Sequence, residues 1–359
     1  MRAVKALVLA GGAGTRLRPI THTSAKQLVP VANKPVLFYG LEAMRDAGIA
    51  EVGIVVGDTA AEIRTAVGDG ARFGVRVTYI PQEAPLGLAH AVLISREFLR
   101  EEPFVMYLGD NLLADGISEL VAEFERSRPD AMILLQHVAD PRQYGVAELG
   151  ADGRVLRLAE KPPEPRSDLA LVGVYMFTSA IWESVEAIRP SARGELEITD
   201  AIQHLVDRGL RVDPHIVTGW WKDTGRLEDM LEANRLVLDL IETSIAAGTL
   251  GADARVEGRV IVEAGAMLER CVVRGPAVIG ARAIVRDAFI GPYTAIAADC
   301  VVDHAEVEHS ILLERSRVEH LDGRMQDSLL GRDVMIGRSH GFPRAWRFLV
   351  GDRSQVGVP

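Results

Sequence analysis

The spacing of apolar and polar positions changes once along the chain, near residue 250. Before it, short β-branched runs alternate with stretches of helical spacing as far as about Thr218. Residues 7–10 read as a buried strand. Residues 36–47 carry Leu37, Leu41 and Met44 at helical spacing, with Gly48 as a stop signal. The pattern then predicts a strand over 52–56, a helix over 60–67, and strands over 75–80 and 104–108. A long helix is predicted over 226–245, ended by Gly248. Such alternation favours an open α/β sheet with right-handed crossovers, and ligands of such sheets gather at the carboxyl ends of the strands.

From about Arg255 the apolar positions recur every six residues: Ile261, Met267, Val273 and Ile279, then, after one five-residue step, Ile284, Ile290, Ile296 and Val302. Ile-Gly pairs at 279–280 and 290–291 mark turns. This is the hexapeptide pattern of a parallel β-helix, in which each rung is a short strand over a narrow aliphatic stack. The register fades beyond about His304 and returns at Met335-Ile336-Gly337. Phe342, Trp346 and Phe348 are expected to cap the last rung or to pack against another subunit. Two domains follow, 1–245 and 246–359, and 359 residues suit that division.

Composition narrows the field. An apolar fraction of 48% and a charged fraction of 25% are ordinary for a soluble globular protein. A net charge of −10 argues against a general nucleic-acid binder. No apolar run approaches membrane-spanning length, and no signal-peptide pattern opens the chain, so a cytoplasmic protein is expected. The two cysteines, Cys271 and Cys300, lack metal-ligand spacing and read as packed, reduced thiols.

The densest chemistry lies near the start. The strand at 7–10 runs into Gly11, Gly12 and Gly14, followed by Thr15, Arg16 and Arg18, with Lys26 further on. Glycines let backbone N–H groups approach an anion, Arg16 offers a planar fork for phosphate oxygens, and Lys26 adds a mobile charge. The loop is not a Walker A loop, because no Lys-Ser or Lys-Thr follows the glycines. It is not a Rossmann fingerprint either, since counting from Gly12 the last position is Leu17. A polyphosphate site is the reading that remains. Further on, Gln82 follows a strand and could read a base edge. Asp110 lies just beyond the strand at 104–108, and Asp223 lies in GWWKDTG. Each is a hard-oxygen donor suited to Mg²⁺ or, alternatively, a turn residue. Glu160-Lys161 ends a short strand and could serve sugar hydroxyls and a phosphate.

GGAGTRL followed by SAKQLVPVANKP resembles the signature of the sugar-1-phosphate nucleotidylyltransferases, most nearly the glucose-1-phosphate thymidylyltransferases in their long form with an added C-terminal domain. The resemblance implies a Rossmann-like mixed sheet flanked by helices, followed by a left-handed parallel β-helix. It implies Arg16, Lys26, Asp110 and Lys161 as catalytic groups. Leu9, Gly11, Gly12, Gly14, Thr15, Gln27, Gln82 and Gly87 would bind the nucleotide. Tyr144, Gly145, Glu160, Lys161, Val172 and Gly173 would bind the sugar phosphate, with Glu197 or Thr199 touching it. Asp110 and Asp223 would hold Mg²⁺.

The expected substrates are dTTP, or UTP, and a hexose 1-phosphate. The product is a nucleotide sugar with release of pyrophosphate, and the β-helix serves assembly of a homo-oligomer. Rival expectations are a UTP-dependent or aminosugar-specific enzyme and a non-catalytic nucleotide-sugar sensor. A third is a bifunctional enzyme with added acyl transfer in the β-helix, by His304, His309, His320 or His340.

Overall fold

The computed structural model describes residues 3–12, 14–22, 24–251, 253–338, 348 and 350–357. It divides into two compact units. One comprises Met1–Ala13, Ala25–Leu28 and Val36–Asp223; the other comprises Gly14–Ser24, Val29–Pro35 and Thr224–Pro359.

The first unit is built on a nine-stranded mixed sheet. Strands Arg76–Pro81, Glu51–Val56, Lys5–Leu9 and Phe104–Leu108 run parallel, in that spatial order. Leu169–Phe177 follows antiparallel, flanked by Ala131–His137 and by the hairpin of Gly145–Leu149 and Val155–Glu160. Successive residues of a strand point to opposite faces, so the central strands feed two cores. Ala6, Val8, Val105 and Tyr107 pack with Leu37, Leu41 and Met44 of the Val36–Asp46 helix. Leu7, Leu9, Phe104 and Met106 pack with Ala89 and Val92 of the Leu88–Ile94 helix. Burial on both faces explains why these strands read as unbroken apolar runs. The helix at 60–67 and the strand at 104–108 form over the predicted residues, and the other predicted ends in this unit move by one or two.

In the second unit the helix is shorter than its apolar spacing predicts. It spans Leu227–Leu238, and Asp239 closes it by accepting no further turn; its own N–H returns to Arg235 and Val237 carbonyls. Ser244–Ile245 is instead a strand, paired in parallel with Val260–Val262. The cause is the run Ile241-Glu242-Thr243-Ser244-Ile245, whose β-branched residues and serine favour extended backbone.

The remainder is a parallel β-helix with three faces. Three inward ladders run along it: Val256–Val273–Ile290–Val307–Met325, Val262–Ile279–Ile296–Leu312–Leu330 and Leu268–Val285–Val302–Val318–Ile336. Three expected inward positions are therefore displaced by one residue. Val262, Leu268 and Val285 face the stack, whereas Met267 is 49% exposed and Ile261 and Ile284 are half-buried. In each case two apolar residues stand side by side in the sequence, so periodicity alone could not choose between them.

The rungs continue past His304 to Met335–Gly337. The fading of the pattern there has a local cause. Val307 and Leu312 are one residue closer than Ile290 and Ile296 on the coil before, and a longer corner containing Gly323 (φ 100°) separates Val318 from Met325. Phe348 is half exposed, and Phe342 and Trp346 lie outside the described residues. Among the described residues no helix is long and apolar enough to cross a membrane.

Candidate active site

Parallel pairing sets the geometry. Leu9 lies opposite Leu108, and Gly109 N–H donates to the Leu9 carbonyl at 2.9 Å, so two strands release their next residues side by side. One releases Gly11 and Gly12; the other releases Asp110. The glycines bring the backbone close to side chains of other elements. A Cβ on Gly12 would lie 3.2 Å from Lys26 Cε, and one on Gly11 would lie 3.3 Å from Gln82 Oε1. Gln82 therefore stands next to the start of the glycine loop, where its Nε2 contacts His90 Nδ1 at 3.0 Å.

Lys26 Nζ donates to Asp110 Oδ2. The carboxylate's other oxygen accepts from Asn111 Nδ2 at 3.1 Å, and Asp110 is 7% exposed. Burial alone would raise this carboxyl. The Lys26 ammonium and the hydrogen bonds outweigh it and hold Asp110 below the usual carboxylate range. Beside Lys26, Gln27 is 1% exposed, and its Oε1 is buried without a donor among the described residues. Asp223 joins the same corner, because Trp221–Asp223 pairs antiparallel with Asn111–Leu113 and sets Asp223 opposite Asn111. Two carboxylates distant in sequence thus lie on neighbouring strand positions.

A second cluster forms at the hairpin. Glu160 Oε2 accepts from Thr199 Oγ1 at 3.2 Å, and its Oε1 lies 3.4 Å from Lys161 Nζ and 3.3 Å from Arg193 Nη1. A Cβ on Gly145 would come within 2.6 Å of Leu171 and Thr199 side-chain carbons and 3.3 Å of Glu160 Oε2. Tyr144 packs edge-on to Trp221, with ring centroids 5.4 Å apart. Trp221 Nε1 in turn donates to Asn111 Oδ1 at 2.5 Å, so aromatic and amide contacts connect this cluster to Asp110.

Gly173 sits where the pairing of Leu169–Phe177 with Ala131–His137 slips between Leu171 and Tyr175. Its φ is 74°, and a Cβ there would meet Leu108 at 2.8 Å and Asn111 Oδ1 at 3.0 Å. A bulge of this kind beside a site re-aims the strand without ending it. The Val172 side chain is fully buried in the core, so only its backbone is available to a ligand.

Gly87 (φ 103°) precedes the Leu88–Ile94 helix, and Leu196 lies against it. Ala89 N–H donates to the Leu196 carbonyl at 3.0 Å, so LGLA and ELEITD, remote in sequence, are hydrogen-bonded neighbours. Glu197 precedes the Ile198–Asp207 helix. Its carboxyl is raised by burial, against a 2.7 Å hydrogen bond from Ser191.

Gly14, Thr15 and Arg16 belong to the second compact unit, where Thr21 Oγ1 donates to the Gly14 carbonyl at 2.6 Å. Arg193, Asn111 and Trp221 were not singled out by sequence reasoning. Asn111 directly follows Asp110, and Trp221 lies in GWWKDTG two residues before Asp223, which was the available signal; Arg193 lies in an irregular stretch and gave none. On the β-helix, the His304 and His320 rings lie tilted with centroids 4.8 Å apart beside Asp303, whose carboxylate is engaged by Arg286 and by His304 Nδ1 at 2.7 Å. His309 Nδ1 is likewise bound to Asp327 at 2.6 Å, and His340 lies outside the described residues.

At one corner of the mixed sheet a glycine turn, a lysine and two aspartates thus come together. The chain belongs to the Nucleotidyl transferase family, which matches residues 5–239. Over 355 residues it is 57% identical to the glucose-1-phosphate thymidylyltransferase of Streptomyces griseus, covering 99% of both chains. A solved Bacillus anthracis protein in complex with sucrose superposes with a TM-score of 0.63 at 34% identity, over 67% of this chain and 98% of that one. A UDP-glucose pyrophosphorylase solved with UDP-glucose gives a TM-score of 0.60 at 25% identity, over 66% of this chain and 99% of that one.

Proposed function

We propose that the protein is a glucose-1-phosphate thymidylyltransferase, transferring dTMP from dTTP to glucose 1-phosphate. The observation that carries this reading is the Lys26–Asp110 pair at the carboxyl edge of the sheet, in a chain alike over its whole length to the Streptomyces griseus enzyme. Residues 1–245 would carry the chemistry and residues 246–359 the added β-helix; the family match over 5–239 supports this division.

A phosphate oxygen of the sugar phosphate attacks the α-phosphorus of the triphosphate. A P–O bond forms there as the bond to the α–β bridging oxygen breaks, and pyrophosphate leaves with that electron pair. The nucleophile is already an anion, so the protein's work is positioning and charge neutralisation, with no general base. Lys26 would hold the α-phosphate once its ammonium exchanges Asp110 for phosphate oxygen. Arg16, with the N–H groups of Gly11, Gly12, Gly14 and Thr15, would hold the β- and γ-phosphates. Gln82 would read the base, with Leu9, Gln27 and Gly87 completing its surroundings. The unpaired Gln27 Oε1 supports a ligand donor there. Lys161 would neutralise the sugar phosphate while Glu160 accepts from sugar hydroxyls, within walls formed by Tyr144, Gly145, Val172 and Gly173.

The donor set of Asp110 and Asp223, all hard carboxylate oxygen from adjacent strand positions, fits Mg²⁺. When bound, the ion would neutralise phosphoryl charge. A second reading, UTP in place of dTTP, is favoured by the likeness to a UDP-glucose pyrophosphorylase. The two bases differ by a methyl group, worth only about 1–3 kcal/mol in an apolar pocket.

Pyrophosphate release with glucose 1-phosphate, comparing dTTP with UTP, ATP, CTP and GTP, tests the proposal. Turnover favouring dTTP is expected. A preference for UTP would transfer the same mechanism to the second reading, and no turnover with any triphosphate and several sugar phosphates would overturn both.

A further inference from the structure

We propose a binding site for a divalent transition ion on the β-helix, formed by Asp303, His304 and His320. Each offers one ligand atom, and these atoms all lie within 4.8 Å of one another. The three residues belong to adjacent coils of the second compact unit, and the reaction assigned above uses none of them.

The corners of the coil create the arrangement. Arg270 (φ 45°), Asp287 (φ 47°), His304 (φ 49°) and His320 (φ 52°) occupy left-handed corner positions on successive coils. Backbone bonds stack them. Asp287 N–H donates to the Glu269 carbonyl at 3.2 Å, His304 N–H to the Arg286 carbonyl at 3.1 Å, and His320 N–H to the Asp303 carbonyl at 2.9 Å. Parallel pairing spaces neighbouring strands by about 4.8 Å, and the His304 and His320 rings are carried at that separation, 4.8 Å between centroids.

Opposite charges fill comparable corner positions elsewhere. Arg270 meets Asp287 through two bonds of 2.8 Å, Arg282 meets Asp299 at 2.7 and 2.6 Å, and Arg315 meets Asp333 at 2.6 and 2.8 Å. Each of those pairs neutralises itself. His304 and His320 instead set two imidazoles one above the other, and a neutral imidazole carries a nitrogen lone pair that can bind a cation.

Asp303 completes the donor set. It ends the Val301–Asp303 strand, opposite Arg286 on one coil and Glu319 on the next. Arg286 Nη2 donates to Oδ2 at 2.5 Å and its Nε reaches Oδ1 at 3.4 Å, which fixes the carboxylate. Oδ1 faces His304, whose Nδ1 is 2.7 Å away. Two ligand atoms bound at about 2.1 Å and a right angle to one ion stand about 3 Å apart, so this pair needs little movement. Both imidazoles are exposed and can turn to close the remaining distance. Asp287 also faces the His304 ring, 4.0 Å from Nε2, but is held by Arg270, and Glu319 is held by Arg317.

Two imidazoles with one carboxylate suit zinc, nickel or copper, whereas Mg²⁺ prefers oxygen donors throughout. The bound ion would tie residues 303–304 to residue 320, adding a cross-link between coils that otherwise adhere through backbone bonds and the apolar stack. An ion that binds the folded chain in preference to the unfolded one stabilises it.

The test is calorimetric titration of the full chain, without an affinity tag, with Zn²⁺ in excess Mg²⁺. Asparagine accepts left-handed backbone, so His304→Asn and His320→Asn keep the corners. The parent is expected to bind Zn²⁺ saturably at this site. Since removing even an outer partner of a metal ligand costs about tenfold in affinity, each variant should weaken binding by at least about that factor. His309→Asn, at another left-handed corner (φ 44°), should bind as the parent does. Zn²⁺ should also raise the thermal midpoint of the parent and leave that of His320→Asn nearly unchanged. Cu²⁺ on the parent should show hyperfine coupling to two imidazole nitrogens in electron paramagnetic resonance, a readout that needs no variant.

No saturable Zn²⁺ binding by the parent, or equal affinity in the parent and both corner variants, would overturn the proposal. So would an equal loss in His309→Asn, which would mean adventitious binding to surface imidazoles only.

Discussion

The central sheet strands and the β-helix rungs are both parallel and both short, yet they bury side chains in opposite ways. Lys5–Leu9 sends alternate residues to two different cores, so its sequence shows a run with no visible face. The rungs of the coil bury side chains in a single stack, as Leu268 does while Met267 is exposed beside it. Burial on two sides makes a strand easy to find and its faces hard to read. Burial on one side reveals a period, but adjacent apolar residues leave its phase open. The sheet's uncovered carboxyl edge gathers the polar groups, whereas the coil surface spends its charges on neighbours of the next coil, as in Arg282–Asp299 and Arg315–Asp333.

The contrast predicts where substitutions cost rate and where they cost stability. The largest effect is expected at the sheet edge. Lys26→Ala and Asp110→Asn should each lower turnover by about 10²–10³-fold in the pyrophosphate-release assay, and values within threefold of the parent would remove both from the chemistry.

In the coil, Leu268→Ala should cost at least about 2 kcal/mol in denaturant unfolding, against about 0.5 kcal/mol or less for Met267→Ala. Equal costs would break the assigned phase. Gly145→Ala introduces a carbon 2.6 Å from Leu171 and Thr199 atoms. An overpacking cost of about 1–3 kcal/mol is expected, read as a rise of about tenfold in KM for the sugar phosphate, with KM for dTTP little changed.

The smallest effect concerns the coil's thiols. Burial pushes Cys271 up to about 11 and raises Cys300 as well. The reactive thiolate forms only above the ordinary thiol range, so iodoacetamide at pH 8 should label neither in the folded protein and both in denaturant. Rapid labelling of the folded protein would show that the stack is open.

Much of this was legible before any coordinates. The strands and the helix at 60–67 follow from period, and the glycine turn shows in the sequence as Gly11, Gly12 and Gly14 at the end of a strand. What sequence left out is long-range pairing. Nothing near Asp223 announces that it stands opposite Asn111, because antiparallel register between residues so far apart is set by the whole sheet. Arg193 reaches Glu160 from an irregular stretch without period. The helix at Leu227–Leu238 was overrun because leucine spacing continued where extended backbone had already begun. The phase of the coil was misplaced at Ile261, Met267 and Ile284, where the competing neighbour is equally apolar.

The corners of the coil carry a consequence for heredity. Val285 pairs with Val302 seventeen residues on, Val302 with Val318 sixteen on, and Val318 with Ile336 eighteen on, yet all of them face the stack. Corners take up the difference. A codon gained or lost at a corner can therefore leave the inward residues where they were, and this part of the gene can drift in length one triplet at a time.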